Sequence, residues 1–186
     1  MNAEEQTLVS NIRLGSRPAF ERLLDLYERK VYNLAFRMLG RREDAEDAAQ
    51  EALLEVYRGI GGFRGRSSLG TWIHAVARNV CLEFLRKRRE TVPLEAELVP
   101  ANPASNPGSS AERGELRGRL EAAIGELPDP QREVVVMHEM HGMKYREIAE
   151  AVGCPVGTVK SRLFHAMENL RAMLADYVVE GAQDEM

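Results

Sequence analysis

The sequence predicts an all-α protein of two small helical domains joined by a flexible, proline-rich linker, with a helix-turn-helix in the C-terminal domain. Apolar residues recur at three- and four-residue steps through most of the 186 residues, which is the spacing of amphipathic helices. Prolines and small polar residues interrupt this spacing between residues 90 and 112, where too little apolar surface is available to offset the entropy of ordering. We therefore expect a first domain at 1–90, a linker at 91–112, a second domain at 113–176 and an acidic tail at 177–186.

Two helices are expected at the start of the first domain. Gly15 breaks the apolar pattern and ends a short first helix, and Ser16 is a suitable N-cap for the next one. The second helix is long, presents one apolar stripe to the core and ends at Gly40. The stripe consists of Phe20, Leu23, Leu24, Tyr27, Val31, Leu34 and Met38.

An acidic helix follows, because residues 43–55 contain six acids and no lysine or arginine. One of its faces is apolar and carries small residues that permit close helix packing. That face consists of Ala45, Ala49, Ala52, Leu53, Val56 and Ile60. The opposite face carries Asp47, Gln50, Glu51 and Leu54 and is free for a partner.

A basic block comes next, made of a glycine-rich loop at 59–70 and a helix at about 69–89. Residues 58–89 hold eight basic residues against the single acid Glu83. The formal net charge of −4 argues against nucleic-acid binding only if charge is spread evenly, and here it is segmented. The acidic residues after residue 175 offset basic residues in the net charge, so the net charge does not reveal the basic surface.

The second domain should begin with a helix through Ile124, followed by a helix that Asp129 caps and whose first turn holds Pro130. The stretch 145–174 then reads as two helices around a tight turn, in which Gly153 can take a positive φ and Pro155 starts the second helix. The inward face of that helix is Val156, Val159, Leu163, Ala166, Met167 and Leu170, and the outward face is Thr158, Ser161, Arg162, His165 and Asn169. The outward side chains are hydrogen-bonding types with the reach to contact a major groove.

Several function classes are disfavoured. No apolar run reaches eighteen residues and no secretory signal is present, so we expect a cytoplasmic protein without membrane insertion. Cys81 and Cys154 have no CxxC partner and read as reduced, structural thiols. His138 and His141 could suggest a metalloenzyme with Cys154 and His165, but their spacing is wrong for the HExxH zinc helix. We expect no catalytic residues, no metal and no cofactor.

Three blocks in order, DAEDAAQEALLEVYRGI, FRGRSSLGTWIHAVARN and LPDPQREVVVMHEMHGMKYREIAEAVGCPVGTVKSRLFHAMENLR, resemble the bacterial sigma-70 family, in particular its extracytoplasmic-function group. The resemblance covers nearly the whole chain. It implies a non-enzyme that binds core RNA polymerase, directs it to a promoter and helps to open the duplex, often in a stress response. It also implies promoter DNA, the polymerase's large-subunit coiled coil and flap, and an anti-sigma factor as partners.

The resemblance assigns site residues by position. For the coiled coil of core polymerase these are Asp44, Asp47, Gln50, Glu51 and Leu54. For the minus-10 element, taken as melted single strand, they are Phe63, Arg64, Arg66, Trp72, Arg78, Asn79, Arg86 and Arg88. For the minus-35 element, read as duplex, they are Thr158, Lys160, Ser161, Arg162, His165 and Arg171.

Within these sets the implied roles differ. Asn79 would hydrogen-bond the edge of a flipped base, while the arginines neutralise phosphates. Trp72 fits equally well as a core residue. His165 departs from the family pattern, in which arginine is frequent, so the resemblance does not imply the promoter sequence.

A conventional helix-turn-helix regulator that binds DNA without polymerase is the alternative. It accounts for the second domain but leaves the acidic helix and the arginine-rich loop unexplained. A gel-shift assay discriminates, since such a regulator binds duplex promoter alone whereas a sigma factor needs core polymerase.

Overall fold

The computed structural model describes residues 3–91 and 111–175, and these ranges are helical throughout apart from short connections. The helices are α1 (Ala3–Arg13), α2 (Arg17–Leu39), α3 (Arg42–Gly59), α4 (Leu69–Thr91), α5 (Ala111–Glu126), α6 (Asp129–Val135), α7 (Tyr145–Val152) and α8 (Val156–Met173). A 3₁₀ turn follows α3 at Ile60–Gly62, and a π-helical turn follows α6 at Val136–Met140. The prediction of an all-α fold is confirmed. Most of the expected linker (residues 92–110), residue 176 and the expected tail at 177–186 lie outside the described residues.

Local sequence accounts for the break between α1 and α2 and for the end of α2. Gly15 has a φ of 79°, and the Ser16 hydroxyl accepts from the backbone N–H of Ala19 at 3.4 Å, as expected of an N-cap. Gly40 ends α2 with a φ of 73° and donates its N–H to the Phe36 carbonyl at 2.8 Å. Both predicted boundaries are confirmed.

The core of the first domain lies among α2, α3 and α4. Ala45, Ala48, Ala49 and Ala52 on α3 are buried, and their small side chains let α3 lie close against its neighbours. Larger residues of α2 and α4 fill the remaining space, namely Leu23, Val31, Leu34, Leu69 and Ile73, all fully buried. The outward face of α3 is thereby held rigidly toward solvent.

The second domain packs α8 against α5, α6 and α7. Gly153 has the expected positive φ of 73° in the turn between α7 and α8, and Pro155 precedes α8 with a φ of −60°. Two details of the prediction are wrong. Met167 is exposed, because it lies at the edge of the apolar stripe. Asp129 is the first residue of α6, where Pro128 is the N-cap, and its carboxylate lies 3.4 Å from the Arg132 guanidinium.

The two domains contact each other directly within the described residues. Helix α4 of the first domain packs against α7, and α2 packs against α5, α6 and the π-helical turn. Within 3–91 and 111–175, no helix combines the length and the apolar character that crossing a bilayer requires.

Candidate nucleic-acid and partner interfaces

The outward face of α3 is an exposed acidic surface with an apolar centre. Asp47, Gln50 and Glu51 are exposed, and 53% of Leu54 is accessible to solvent. Asp44 is only half exposed and lies 3.9 Å from the Arg41 guanidinium. The sequence patterns missed Tyr57, which is exposed one turn beyond Leu54 and whose ring meets that of Phe20 edge to face at 4.7 Å.

The loop between α3 and α4 is held from below by an aromatic pair. Phe63 is only 6% exposed, and its ring centroid lies 5.1 Å from that of the half-buried Trp72. A Cβ at Gly59 would lie 3.2 Å from the Trp72 ring, so the absence of a side chain at Gly59 allows the indole to pack closely against α3. In this conformation both rings support the loop, and Phe63 has little surface to offer a base.

Arg13, at the end of α1, anchors the same loop. Its guanidinium donates to the backbone carbonyls of Ile60, at 3.4 Å, and Phe63. No sequence signal pointed to this role, because the contact joins residues about fifty positions apart. The loop is therefore fixed to α1 as well as to α4.

The basic residues of the loop and α4 are unequally available. Arg64 and Arg66 are exposed on the loop, and Arg86 is exposed on α4, where it pairs with Glu90 at 2.9 Å. Arg88 is half-buried and donates to the Leu39 carbonyl at 3.4 Å. Exposed pairs such as that of Arg86 are weak in water and would exchange readily for a phosphate.

Arg78 and Asn79 lie where α4 meets the second domain. Arg78 Nε donates to Glu133 Oε2 at 2.7 Å, and Arg78 Nη1 donates to the side-chain oxygen of the exposed Asn79 at 3.2 Å. The second oxygen of Glu133 accepts from Arg162 Nη1 on α8 at 3.0 Å. The structure thus joins a residue assigned to the minus-10 element and one assigned to the minus-35 element through a single carboxylate on α6. Sequence patterns missed Glu133 entirely.

Two further polar contacts cross between the domains. Arg132 Nη1 donates to the Met38 carbonyl near the end of α2 at 3.1 Å, while its other nitrogens donate to carbonyls at the α5–α6 connection. His74 Nε2 lies 3.2 Å from His141 Nδ1, beside a cavity of about 400 Å³ between the domains. Because the Nδ1 atom of His74 donates to the Gly70 carbonyl at 2.7 Å, neutral His74 accepts a hydrogen bond from His141.

Burial keeps this histidine pair neutral. It lowers the pKa of His74 below its ordinary value, and it lowers that of His141 to about 4 with help from the positive charges of Arg37 and Lys30. Nε2 of His141 is buried and has no hydrogen-bond partner among the described residues. A charged histidine would therefore be poorly accommodated at this contact.

The outward face of α8 is open to solvent. Lys160, Ser161, His165 and Arg171 are exposed, and Thr158 is half-buried in the first turn. His165 Nδ1 lies 3.1 Å from the Glu168 carboxylate. Arg162 lies to one side, toward α6, as described above. The patterns also missed Phe164, which is 60% exposed; an aromatic residue beside the apolar stripe was the available signal.

The two cysteines are unbridged. Cys81 is buried, and burial raises the pKa of its thiol to about 12, while Cys154 is half-buried. Within the described ranges, no cluster of three or more histidine, cysteine or acidic side chains is arranged to hold a metal ion.

Two family descriptions match the chain, one for each half. Sigma-70 region 2 matches residues 23–91, and Sigma-70, region 4 matches residues 117–170. Among curated proteins, the RNA polymerase sigma-H factor of Pseudomonas aeruginosa is 35% identical, covering 89% of this chain and 91% of that protein. The ECF RNA polymerase sigma factor SigW of Bacillus subtilis is 32% identical, covering 90% of this chain and 95% of that protein.

The fold is also similar to a solved structure. The sigma factor RpoE in complex with the anti-sigma factor NepR, from Bartonella quintana, superposes with a TM-score of 0.70 at 26% identity. The match covers 84% of this chain and 96% of that one.

Proposed function

The chain belongs to the extracytoplasmic-function group of the sigma-70 family and directs promoter-specific transcription initiation by RNA polymerase, and we propose that it divides this work between its two domains. The first domain, 1–90, binds core polymerase and captures the minus-10 element as melted single strand. The second domain, 113–176, reads the minus-35 element as duplex. The proposal is carried by three exposed surfaces: the outward face of α3 is acidic, whereas the loop with α4 and the outward face of α8 carry basic residues. The first two lie in the part of the chain that matches Sigma-70 region 2, and the third lies in the part that matches Sigma-70, region 4.

Core polymerase binds the outward face of α3. Asp47 and Glu51 offer exposed charge to a basic coiled coil, which speeds encounter and fixes register. Leu54 and the neighbouring Tyr57 supply the apolar part of the contact, and the exposed Gln50, one turn before Leu54, adds a hydrogen-bonding side chain. Asp44 contributes charge at the edge of this surface.

The minus-10 strand follows the loop and α4. Unstacking DNA costs roughly a few kcal/mol per step, so the protein must offer compensating hydrogen bonds and charge neutralisation. Asn79 reads the edge of a flipped base because its amide is exposed on α4. Phosphates are neutralised by Arg64, Arg66, Arg78, Arg86 and Arg88. Phe63 and Trp72 hold the loop in shape from beneath.

The minus-35 duplex receives α8 in its major groove. Ser161 and His165 face outward for base edges, and Phe164 is placed to contact thymine methyl groups. Thr158 lies at the helix N-terminus, where a phosphate binds favourably. Lys160 and Arg171 neutralise the backbone, and Arg162 joins them once it leaves Glu133.

Two further partners follow from the family. The second domain would also contact the polymerase flap, and an anti-sigma factor would bind the chain as NepR binds the similar RpoE. The protein would act in the cytoplasm, where polymerase and chromosome are found, without catalysis of its own.

Run-off transcription with purified core polymerase on a genomic promoter library tests the proposal and returns both promoter elements. The expected result is new start sites that share an upstream and a downstream element, absent when core polymerase is used alone. Start sites that do not depend on the chain, or no association with core polymerase, would contradict it.

A further inference from the structure

Glu133 holds the two domains together through a doubly shared carboxylate. It is only 3% exposed, and its two oxygens accept from arginines on different elements, Arg78 at 2.7 Å and Arg162 at 3.0 Å. The Arg162 pair lies within the second domain. The Arg78 pair crosses to the first domain and therefore exists only while the domains are closed.

The crossing pair reaches the residue that would read the flipped base. Arg78 Nη1 donates to the side-chain oxygen of Asn79 at 3.2 Å while Arg78 Nε is held by Glu133. In the closed arrangement the charge of Arg78 is thus neutralised by a carboxylate, while the Asn79 amide stays exposed to solvent. A phosphate could take the place of that carboxylate only after Glu133 has moved away.

Neighbouring contacts favour the same closed arrangement. Arg132, next to Glu133 on α6, donates to the Met38 carbonyl of the first domain, and His141 meets His74 on α4. Buried ionic and polar contacts are strongly directional, so they select one arrangement of the domains. Together they place α6 and its π-helical continuation against α2 and α4.

We propose that the Glu133–Arg78 contact is an autoinhibitory latch, which keeps the free chain closed and withholds Arg78 from single-stranded DNA until the domains separate. This inference rests on the proposed role of Arg78 at the minus-10 element. Opening exchanges the Glu133 carboxylate for a DNA phosphate at Arg78. The apparent affinity for the melted strand is therefore the affinity of the open form multiplied by the fraction of molecules that are open.

Closure can be measured without polymerase or DNA by energy transfer between dyes on the full-length chain. The labelled positions are Glu28→Cys on α2 and Glu150→Cys on α7, both exposed, in a Cys154→Ser background. Glu133→Gln removes the charge, and Arg78→Met breaks the same contact from the other side while leaving Glu133 paired with Arg162. Gln131→Ala is the matched control, because Gln131 lies on α6 and its side chain accepts from Asn169 of α8, at 2.8 Å, within the second domain.

We expect Glu133→Gln and Arg78→Met to lower transfer efficiency about twofold, since a linker of about twenty residues reaches up to roughly 65 Å. Gln131→Ala should match the parent chain. Glu133→Gln could lower transfer efficiency by disturbing the fold of the second domain. Arg78→Met excludes this explanation, because Arg78→Met changes no residue of the second domain. Parent-like transfer efficiency in both latch variants would overturn the proposal.

Inhibition is tested by binding the unpaired non-template strand of a promoter obtained by run-off transcription. Glu133→Gln should bind this strand about tenfold more tightly than the parent chain, as expected if the open fraction rises from roughly a tenth to nearly all. Equal affinity despite lowered transfer would overturn the inhibitory role. If the parent chain does not support run-off transcription, the proposed function is contradicted, and the inhibitory role with it. The energy-transfer measurement would still report whether Glu133 closes the domains.

Discussion

Individual side chains of the loop, α4 and α8 divide into those proposed to read bases and those that support the fold. Asn79 and Phe164 are exposed on the proposed reading surfaces. Phe63 and Trp72 lie close together and support the loop. Substitutions in the first group should therefore change DNA recognition, whereas substitutions in the second should change folding as well.

We predict that Asn79→Ala impairs duplex opening more than polymerase binding. A good base contact contributes about 1–3 kcal/mol, so open-complex formation should fall roughly tenfold. Permanganate footprinting measures the opening, and co-purification with core polymerase measures the binding. Asn11→Ala, at an exposed asparagine of α1, is the control and should behave like the parent chain. Normal opening by Asn79→Ala would remove this residue from base reading.

We predict that Phe164→Ala weakens binding to the upstream duplex by roughly fivefold or more, because an apolar contact to thymine methyls would be lost. Fluorescence anisotropy with the minus-35 duplex and the holoenzyme provides the measurement. Met173→Ala is the control, since Met173 is also exposed on α8 but lies at its last turn. Equal losses in both variants would show that exposed apolar area, and not base contact, matters.

At the scale of elements, α3 has the two faces that the proposed docking role requires, because its alanines are buried in the core while Asp47, Gln50 and Glu51 are exposed. The double reversal Asp47→Lys with Glu51→Lys should lower core polymerase affinity at least tenfold, with a smaller effect at high salt. Asp25→Lys with Glu28→Lys on exposed positions of α2 is the matched control for net charge. A pull-down in which both double variants bind normally would exclude this face of α3.

The helices were predictable because their signals are local. Gly15, Ser16, Gly40 and Gly153 each specify a boundary through their own backbone or side-chain chemistry, and the structure has those boundaries. The error at Met167 has the opposite origin, since periodicity cannot tell how wide a stripe the neighbouring helices cover.

The most consequential contacts were not predictable from the sequence. Glu133 joins partners 55 and 29 positions away, and Arg132 reaches a carbonyl 94 positions away. On a helical wheel, two adjacent charged residues look like a solvated face. They are buried by tertiary contacts, within the second domain and with the first, and no local pattern carries that information.

For the molecule as a whole, the closed arrangement makes stability depend on pH through the histidine pair. The folded-state pKa of His141 is lowered to about 4, with burial as the largest cause and the neighbouring His74, Arg37 and Lys30 side chains adding to it. Below the ordinary value near 6.5 the unfolded chain binds more protons than the folded chain. The contribution of His141 is therefore fully present above pH 6.5 and is lost as pH falls toward 4.

We predict that the Tm falls as the pH is lowered from 6.5 to about 4, by roughly 2–4 °C for each kcal/mol lost. His141→Asn should flatten this part of the pH profile because it removes the titrating group. His138→Asn is the control, because His138 lies three residues earlier, within the π-helical turn, and the structure shows a different partner for it, the Met143 carbonyl. A profile of unchanged slope in His141→Asn would refute the assignment.

The position of Arg13 has a consequence for the N-terminal segment. Its guanidinium ties α1 to the carbonyls of Ile60 and Phe63, so the loop that the minus-10 strand is proposed to follow rests on a helix with no proposed part in reading DNA. A protease that clipped the first thirteen residues would unseat this loop while sparing the acidic docking face. The cleaved protein would then compete with its intact counterpart for polymerase and leave the double strand shut.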